Sequence, residues 1–427
     1  VTVTYDPQHP KYYDEADLRE ELTRVYDLCH GCRLCYNLCP SFPTMFKAID
    51  GHDGEVPALT TDEQDKVVDE CYQCKLCYVK CPYVPPHEWQ LDFPRLMLRA
   101  AAIRKHGRRS LADQVLGRTD LLGAVNTRMS PLVNAATRAR GSAVRKVMER
   151  TVGLAAERVL PPYARQRFST WSKKRSAPAL PNRQATVALF PTCFVEYNYP
   201  AIGHDLVKVY EHNRVGCELP EGIKCCGAPW LHAGDFPGFL ALAKKNLPRL
   251  AQAIRQGKDV VVPQPTCGYV LKRDYLEYVG GPDAELLAAH TFDACEYLMR
   301  LHRDEGRELD TSFTGEVPEA VTYHVPCHLQ AQNVGLKSRD LMKLTGTKIT
   351  LVNKCSGIDG AWGLRAANYD LARQVAQAMA EEIRQAGNAV VADDCALASG
   401  AVEEETGITP VHPLQLIARA YGISREP

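Results

Sequence analysis

Two short runs in this 427-residue chain carry dense thiol chemistry. Cys29, Cys32, Cys35 and Cys39 stand in CHGCRLCYNLCP, and Cys71, Cys74, Cys77 and Cys81 in CYQCKLCYVKCP. Both read C-x2-C-x2-C-x3-C-P. Three closely spaced thiolates can wrap three irons of one [4Fe–4S] cube, while the fourth cysteine, before proline, reaches the other cube. The spacing therefore predicts one cluster on Cys29, Cys32, Cys35 and Cys81. It predicts a second on Cys71, Cys74, Cys77 and Cys39. Zinc sites use cysteine pairs separated by long gaps rather than runs of three, and two full copies leave chance little room.

A second group of thiols is spread over the C-terminal part, and it repeats. KCCG at Lys224–Gly227 and KCSG at Lys354–Gly357 look like copies of one element. Around them Cys193 pairs with Cys327, Cys225 with Cys355 and Cys267 with Cys395, at offsets of 134, 130 and 128 residues. The first half thus offers Cys193, Cys225, Cys226 and Cys267, enough for an iron–sulfur cluster. The second offers Cys327, Cys355 and Cys395, with Ser356 where the first half has a cysteine. Three thiolates could hold a cluster with one open iron, or nothing. His324 and His328 flank Cys327 and could complete a set, and His204 and His232 lie near the first group. A lone histidine is more often a satisfied core or turn residue, and that reading is preferred for all four and for His87. Cys217 and Cys295 have no counterparts and read as buried apolar thiols. Gly357, Gly360 and Gly363 permit close backbone approach to a cluster, as they would to a simple turn.

The elements that must position these thiols follow from periodicity. EADLREELTRVYDLC, before the first motif, is helical in period, and Thr60 or Thr61 with Glu63 or Gln64 resembles a capping box. From Ala185 onward, apolar strand-like segments alternate with helical ones. TVALFPTC, DVVVPQPTC, AVTYHVPC, KITLV and NAVVADDC read as strands, and most of them run into a cysteine. Such alternation implies parallel sheets, whose sites form beyond the carboxyl ends of the strands. The helix AANYDLARQVAQAMAEEIRQAG is expected to stop at Gly387.

Composition sets the surroundings. Seventeen cysteines in a long chain argue for metal or redox chemistry in a reducing compartment rather than disulfide stapling. VTVTYDPQHPKYYDE is not a secretory signal, and no apolar run is long enough to span a membrane. The formal charge is zero overall, yet Arg99–Ala185 holds nineteen Lys/Arg against four Asp/Glu, a net of +15. Leu111, Val115, Leu121, Leu122, Val125 and Met129 fall on a rough helical stripe within it. Docking on a partner or an anionic membrane surface is the preferred reading of this segment. Covering the acidic remainder of the chain and a solvated linker are the competing ones. No nucleic-acid-reading motif is present, and no Gly-rich dinucleotide loop would let the chain take hydride itself.

With the double ferredoxin motif followed by two C…CCG…C repeats, the chain resembles the family of the heterodisulfide reductase D subunit. That family includes the anaerobic glycerol-3-phosphate dehydrogenase C subunit and the glycolate oxidase iron–sulfur subunit. CPYVPPHEWQLDFPRLMLRA and KCSGIDGAWG look most like a branch found beside rubrerythrin-like proteins. The resemblance implies a multidomain α+β chain. Its parts would be an α-helical two-[4Fe–4S] ferredoxin domain (1–98), a basic helical linker or docking region (99–184), and duplicated α/β cysteine-rich (CCG) domains (185–302 and 303–427). It implies a cytoplasmic electron-transfer subunit, peripheral on the inner face of the membrane where the basic region docks. The redox partner would be a flavin-dependent dehydrogenase, a rubrerythrin-like protein or a quinone site. The alternative is a catalytic subunit reducing a disulfide at a CCG-domain cluster. The family's full pattern has five thiols, C…CC…C-x2-C. Here Gln264 and Ala392 replace the first cysteine of each C-x2-C, and Ser356 a further one, so neither half keeps the five thiols of the full pattern.

Overall fold

A computed structural model of the chain describes residues 5–106, 110–304, 306–358 and 360–423. Arg108 and Arg109 of the basic run, Asp359 of the KCSGIDGAW stretch and the first four residues lie outside these. The N-terminal part is helical. Helix α1 (Glu15–Cys32) is capped by Asp14 and buries Leu18, Leu22, Val25 and Tyr26 along one face. It is followed by α2 (Ser41–Gly51), α3 (Thr61–Asp69), the short α4 (Leu76–Lys80) and α5 (Phe93–Lys105). The expected capping box forms between Thr60 and Glu63 at the start of α3. These helices share one apolar core with the cysteine motifs at its edge.

Among its described residues the basic middle forms the short helices α6 (Leu111–Gly117), α7 (Thr119–Arg128), α8 (Ser130–Arg138) and α9 (Ala143–Val152), with a further one at Phe168–Lys174. Their inward face is built from small and polar residues, among them Gly117, Gly123, Thr127 and Ser130. A Cβ on Gly117 would meet the Trp230 ring at 2.4 Å, and one on Gly123 the Tyr197 ring at 2.4 Å. Of the apolar stripe, Leu111, Leu121, Val125 and Met129 point the other way and are exposed, as are Leu132, Val144 and Val147 further on, while Val115 and Leu122 are half-buried. One face of the segment therefore covers the chain's own α/β part, and the other carries an apolar surface among arginines.

The rest is α/β and duplicated. The first half has β1 (Ala185–Leu189), β2 (Val215–Glu218), β3 (Asp259–Val262) and β4 (Thr291–Asp293), in the order β2-β1-β3-β4. The second has β5 (Ala320–His324), β6 (Lys348–Val352) and β7 (Val390–Ala392), in the order β6-β5-β7. All pairings are parallel. In each half the first strand is central and its two followers flank it, so the sheets repeat as the cysteines do. Strands β2 and β4 escape the hydrophobic pattern because each is short, and β2 carries Cys217 and Glu218 rather than an apolar run. The helix Tyr369–Ala386 ends at Gly387 with φ of 65°, a left-handed cap that glycine adopts without strain. Among the described residues no helix is long and apolar enough to cross a membrane.

Candidate metal centres

The N-terminal thiols fall into two groups in space. Cys29, Cys32, Cys35 and Cys81 line one small cavity, walled by Leu28, Phe42, Phe46 and Leu91. Cys39, Cys71, Cys74 and Cys77 line another, with Tyr72, Phe93 and Pro94. The last turn of α1 supplies Cys29 and Cys32, and α4 supplies Cys77. Cys39 and Cys81, the two residues before proline, cross from their own motif to the other group. Burial, then the neighbouring sulfurs, push the thiols of Cys29 and Cys39 far up, and that of Cys35 to about 11. Buried sulfurs held together in apolar walls repel one another once ionised, and none of the seventeen cysteines is in a disulfide. A cationic iron core relieves that repulsion, so these donors fit iron–sulfur clusters.

In the first α/β half the sulfurs of Cys193, Cys225, Cys226 and Cys267 form a continuous chain of contacts in that order. Bonding from Cys193, then from Cys226, holds the Cys225 thiol below its ordinary range, whereas the bond to Cys225 drives Cys193 and Cys226 up. The backbone of the adjacent cysteines is clamped. Fully buried Asn246 donates to the carbonyls of Lys224 and Cys225 at 3.1 and 3.0 Å, and the Tyr275 hydroxyl donates to that of Cys226 at 3.1 Å. The Cys225 amide donates to Asp120 of α7 at 2.9 Å, so the basic segment touches this site directly. An open cleft of about 550 Å³ reaches Cys193 and Cys225, bordered by Asp120, Arg167, Glu196 and Lys224.

The second half differs. Cys355 bonds to Cys327 and lies against the ferredoxin part. Its sulfur is 3.2 Å from the hydroxyl of Tyr72, a residue between Cys71 and Cys74, and it accepts the Gly357 amide at 3.3 Å. Bonding from Cys327, which outweighs the effect of burial, brings the Cys355 thiol down to about 7, with help from Tyr72, Gly357 and His324. Tyr72 is buried against Trp362, whose indole donates to the Asp69 carbonyl at 2.7 Å. Cys395 is reached from the other half: the Gln264 amide donates to its sulfur at 3.2 Å. Gln264, which stands where the full pattern has a cysteine, thus serves the opposite site. Ser356 is buried beside Cys355.

The histidines beside Cys327 are committed elsewhere. His324 pairs with Asp393 at 2.7 Å and with the Lys354 carbonyl at 3.0 Å. His328 bonds to Thr266 and to the Gln73 carbonyl, both at 3.0 Å. Neither has a ring nitrogen left for a metal. His204 stacks on Trp171, and His232 lies beside His328. His87 packs between Tyr83 and Trp89. Cys295 is buried as expected but in polar company. Its sulfur and the carboxylates of Asp293 and Asp394 lie within 4.8 Å of one another. Burial pushes Asp394 up to about 8 and Asp293 to about 6. No spacing in the sequence announces this group, nor Tyr72, Gln264 or Asp120, because each acts on a site distant along the chain.

Models of two protein families match the chain. The model of the cysteine-rich (CCG) domain matches residues 187–272 and 321–398, and that of the citrate utilization protein B Fer4-like domain matches 22–108. The chain is 30% identical over 328 residues to the C subunit of anaerobic glycerol-3-phosphate dehydrogenase from Escherichia coli K12, covering 76% of this chain and 81% of the relative. It is 28% identical over 210 residues to the B subunit of fumarate reductase (CoM/CoB) from Methanothermobacter marburgensis, covering 48% of this chain and 39% of that one. Lactate utilization protein A of Geobacillus thermodenitrificans is 29% identical over 191 residues, covering 42% and 74% respectively.

Proposed function

We propose, since the chain belongs to the family of the anaerobic glycerol-3-phosphate dehydrogenase C subunit and is an iron–sulfur electron-transfer subunit, that it relays electrons through cysteine sites set in one spatial order. Cys29, Cys32, Cys35 and Cys81 would hold one [4Fe–4S] cluster, and Cys39, Cys71, Cys74 and Cys77 a second. Cys193, Cys225, Cys226 and Cys267 would hold a further cluster, and Cys327, Cys355 and Cys395 form the three-thiol set. When bound, these groups supply one-electron carriers. The chain's own residues exclude water, fix the sulfurs and set the order of the sites.

The observation that carries this reading is the contact of Tyr72 with Cys355 at 3.2 Å. It supports an order in which the second half's thiols follow the Cys39–Cys77 group, with Gln264 bridging onward from Cys395 to the loop of Cys267. The redox partner would be a flavin-dependent dehydrogenase or a rubrerythrin-like protein. It, or an anionic membrane face, would dock on the exposed apolar and basic face of α6–α9.

Iron and sulfide counting on anaerobically purified protein tests the reading. About twelve irons per chain support a third site, whereas about eight would leave only the ferredoxin pair. Cys226→Ser should remove the extra iron and spare the rest; survival of all iron would refute the ligand assignment. The cleft of about 550 Å³ open to Cys193 and Cys225 favours a second reading, disulfide reduction at that site. Reduction of a small disulfide by the dye-reduced protein, lost in Cys226→Ser, would support it.

A further inference from the structure

A larger cleft, of about 1050 Å³, borders the second half's loop at Cys395, with Asp393 and Ala396 in its lining. Three parts of the chain wall it: α8 and α9 with residues 159–162 that follow them, residues 198–202 at the start of the helix Pro200–His212, and the segments after β7 of the second half. Its floor includes Asp393 and Ala396, at the carboxyl end of β7, where parallel sheets receive ligands. We propose that this cleft binds a small organic anion carrying phosphate or carboxylate groups.

Charge is the first argument. Arg138, Arg140, Arg145 and Arg419 converge on the cleft from three separate segments. Arg138 and Arg140 are exposed and make no ion pair among the described residues. Like charges gathered on one concave surface repel one another, and an anion in their midst offsets that cost. Among the described residues the lining itself carries two acidic groups, while Glu157 and Glu404 also act on buried Arg145. Glu403 stands at the rim, and Asp393 is spent on His324. Burial holds His412 neutral down to about pH 4, and pushes the Tyr199 phenol up, so that it too is neutral.

Two further observations agree. The 13-residue helix Pro200–His212 and the 11-residue helix Ala396–Thr406 both begin at this cleft, and neither has a side-chain cap. Their positive ends add to the arginines. Arg145 is 1% exposed, and its Nε finds no partner among the described residues although its other nitrogens bond to the carbonyls of Thr137, Ala155 and Arg158. The volume is that of a site for a sizeable organic molecule. The enclosing walls, from three segments, favour such a ligand over a flat protein contact.

Calorimetric titration of the anaerobic holoprotein with pyrophosphate and with citrate tests this, one arm for each anion chemistry. The expected result is saturable one-to-one binding of at least one probe. It should weaken about tenfold or more in the double variant R138A/R140A and stay unchanged in R128A, an exposed arginine outside the cleft. Absence of saturable binding by both probes up to about 10 mM would overturn the proposal. So would binding that the double variant leaves intact, or that R128A weakens equally. Binding of polyglutamate without either small probe would also overturn it, assigning the cleft to an acidic protein segment instead. Iron content is independent of all these outcomes, so the cleft and the relay stand or fall separately.

Discussion

Tyr72 sits at a filler position of a cysteine motif and yet makes one of the contacts that join the ferredoxin part to the second α/β half. If the Cys327, Cys355 and Cys395 set holds a cluster, the Tyr72 hydroxyl bond to its ligating sulfur stabilises the more negative, reduced state and raises the reduction potential. Tyr72→Phe keeps the ring against Trp362 and removes only that bond. If roughly 0.5–1 kcal/mol of hydrogen-bond energy differs between the redox states, the potential of the adjoining site should fall by roughly 20–40 mV. Spectroscopic redox titration reads this directly, with iron content unchanged. An unaltered potential would mean the hydroxyl contributes only packing. The N-terminal cysteines are legible because iron–sulfur ligation, the role proposed for them, imposes fixed spacing on a short segment. Tyr72 and Cys355 are 283 residues apart, and nothing local marks a filler tyrosine as a partner for a distant sulfur. The same holds for Gln264, which reads as a lost cysteine in its own half and acts as a donor to Cys395 in the other.

The helices α6–α9 show what periodicity reads and what it leaves out. The stripe Leu111, Leu121, Val125 and Met129 is visible in the sequence, and so are the breaks at proline and glycine. Which face turns inward is not, because the surface these helices cover already supplies the bulk. The rings of Trp230 and Tyr197 fill the contact, and the helices answer with Gly117 and Gly123. A stripe of small residues carries no hydropathy signal. Gly123 has no unusual φ, so alanine there is penalised by space alone. Gly123→Ala pushes a methyl group into the Tyr197 ring and should cost about 1–3 kcal/mol of docking energy. Hydrogen exchange across α6–α8 should rise, and limited proteolysis at Arg118 and Arg128 should quicken. Because Asp120 of α7 accepts the Cys225 amide, iron at the first α/β site should also become easier to remove. Unchanged protection of α6–α8 would show that the segment is held from elsewhere.

At the scale of the whole molecule, the repeat is readable from three cysteine offsets, since duplicated strands must keep their order to keep their sites. How the halves meet depends on side chains that share no pattern. His412 is one of them. It caps the helix Pro413–Ala420 in the second half, and its Nε2 donates to the Pro263 carbonyl of the first at 3.1 Å. Burial lowers its pKa to about 4. The unfolded chain takes up a proton near pH 6.5 while the folded one does not until about pH 4. Folded stability from this residue is therefore complete above about pH 6.5 and declines as the pH falls between those values. By linkage the loss at pH 5 is about 2 kcal/mol. His412→Asn retains an N-cap and cannot titrate, but gives up the Pro263 bond, worth about 1 kcal/mol. At pH 7.5 the variant should be the less stable protein by about that amount. At pH 5 the order should reverse, with the variant ahead by about 1 kcal/mol. Unfolding midpoints of both proteins at the two pH values decide it, since iron loss and other titrations are common to both and cancel in the difference. A gap that stays constant with pH would mean that His412 protonates without cost and does not tie the halves together.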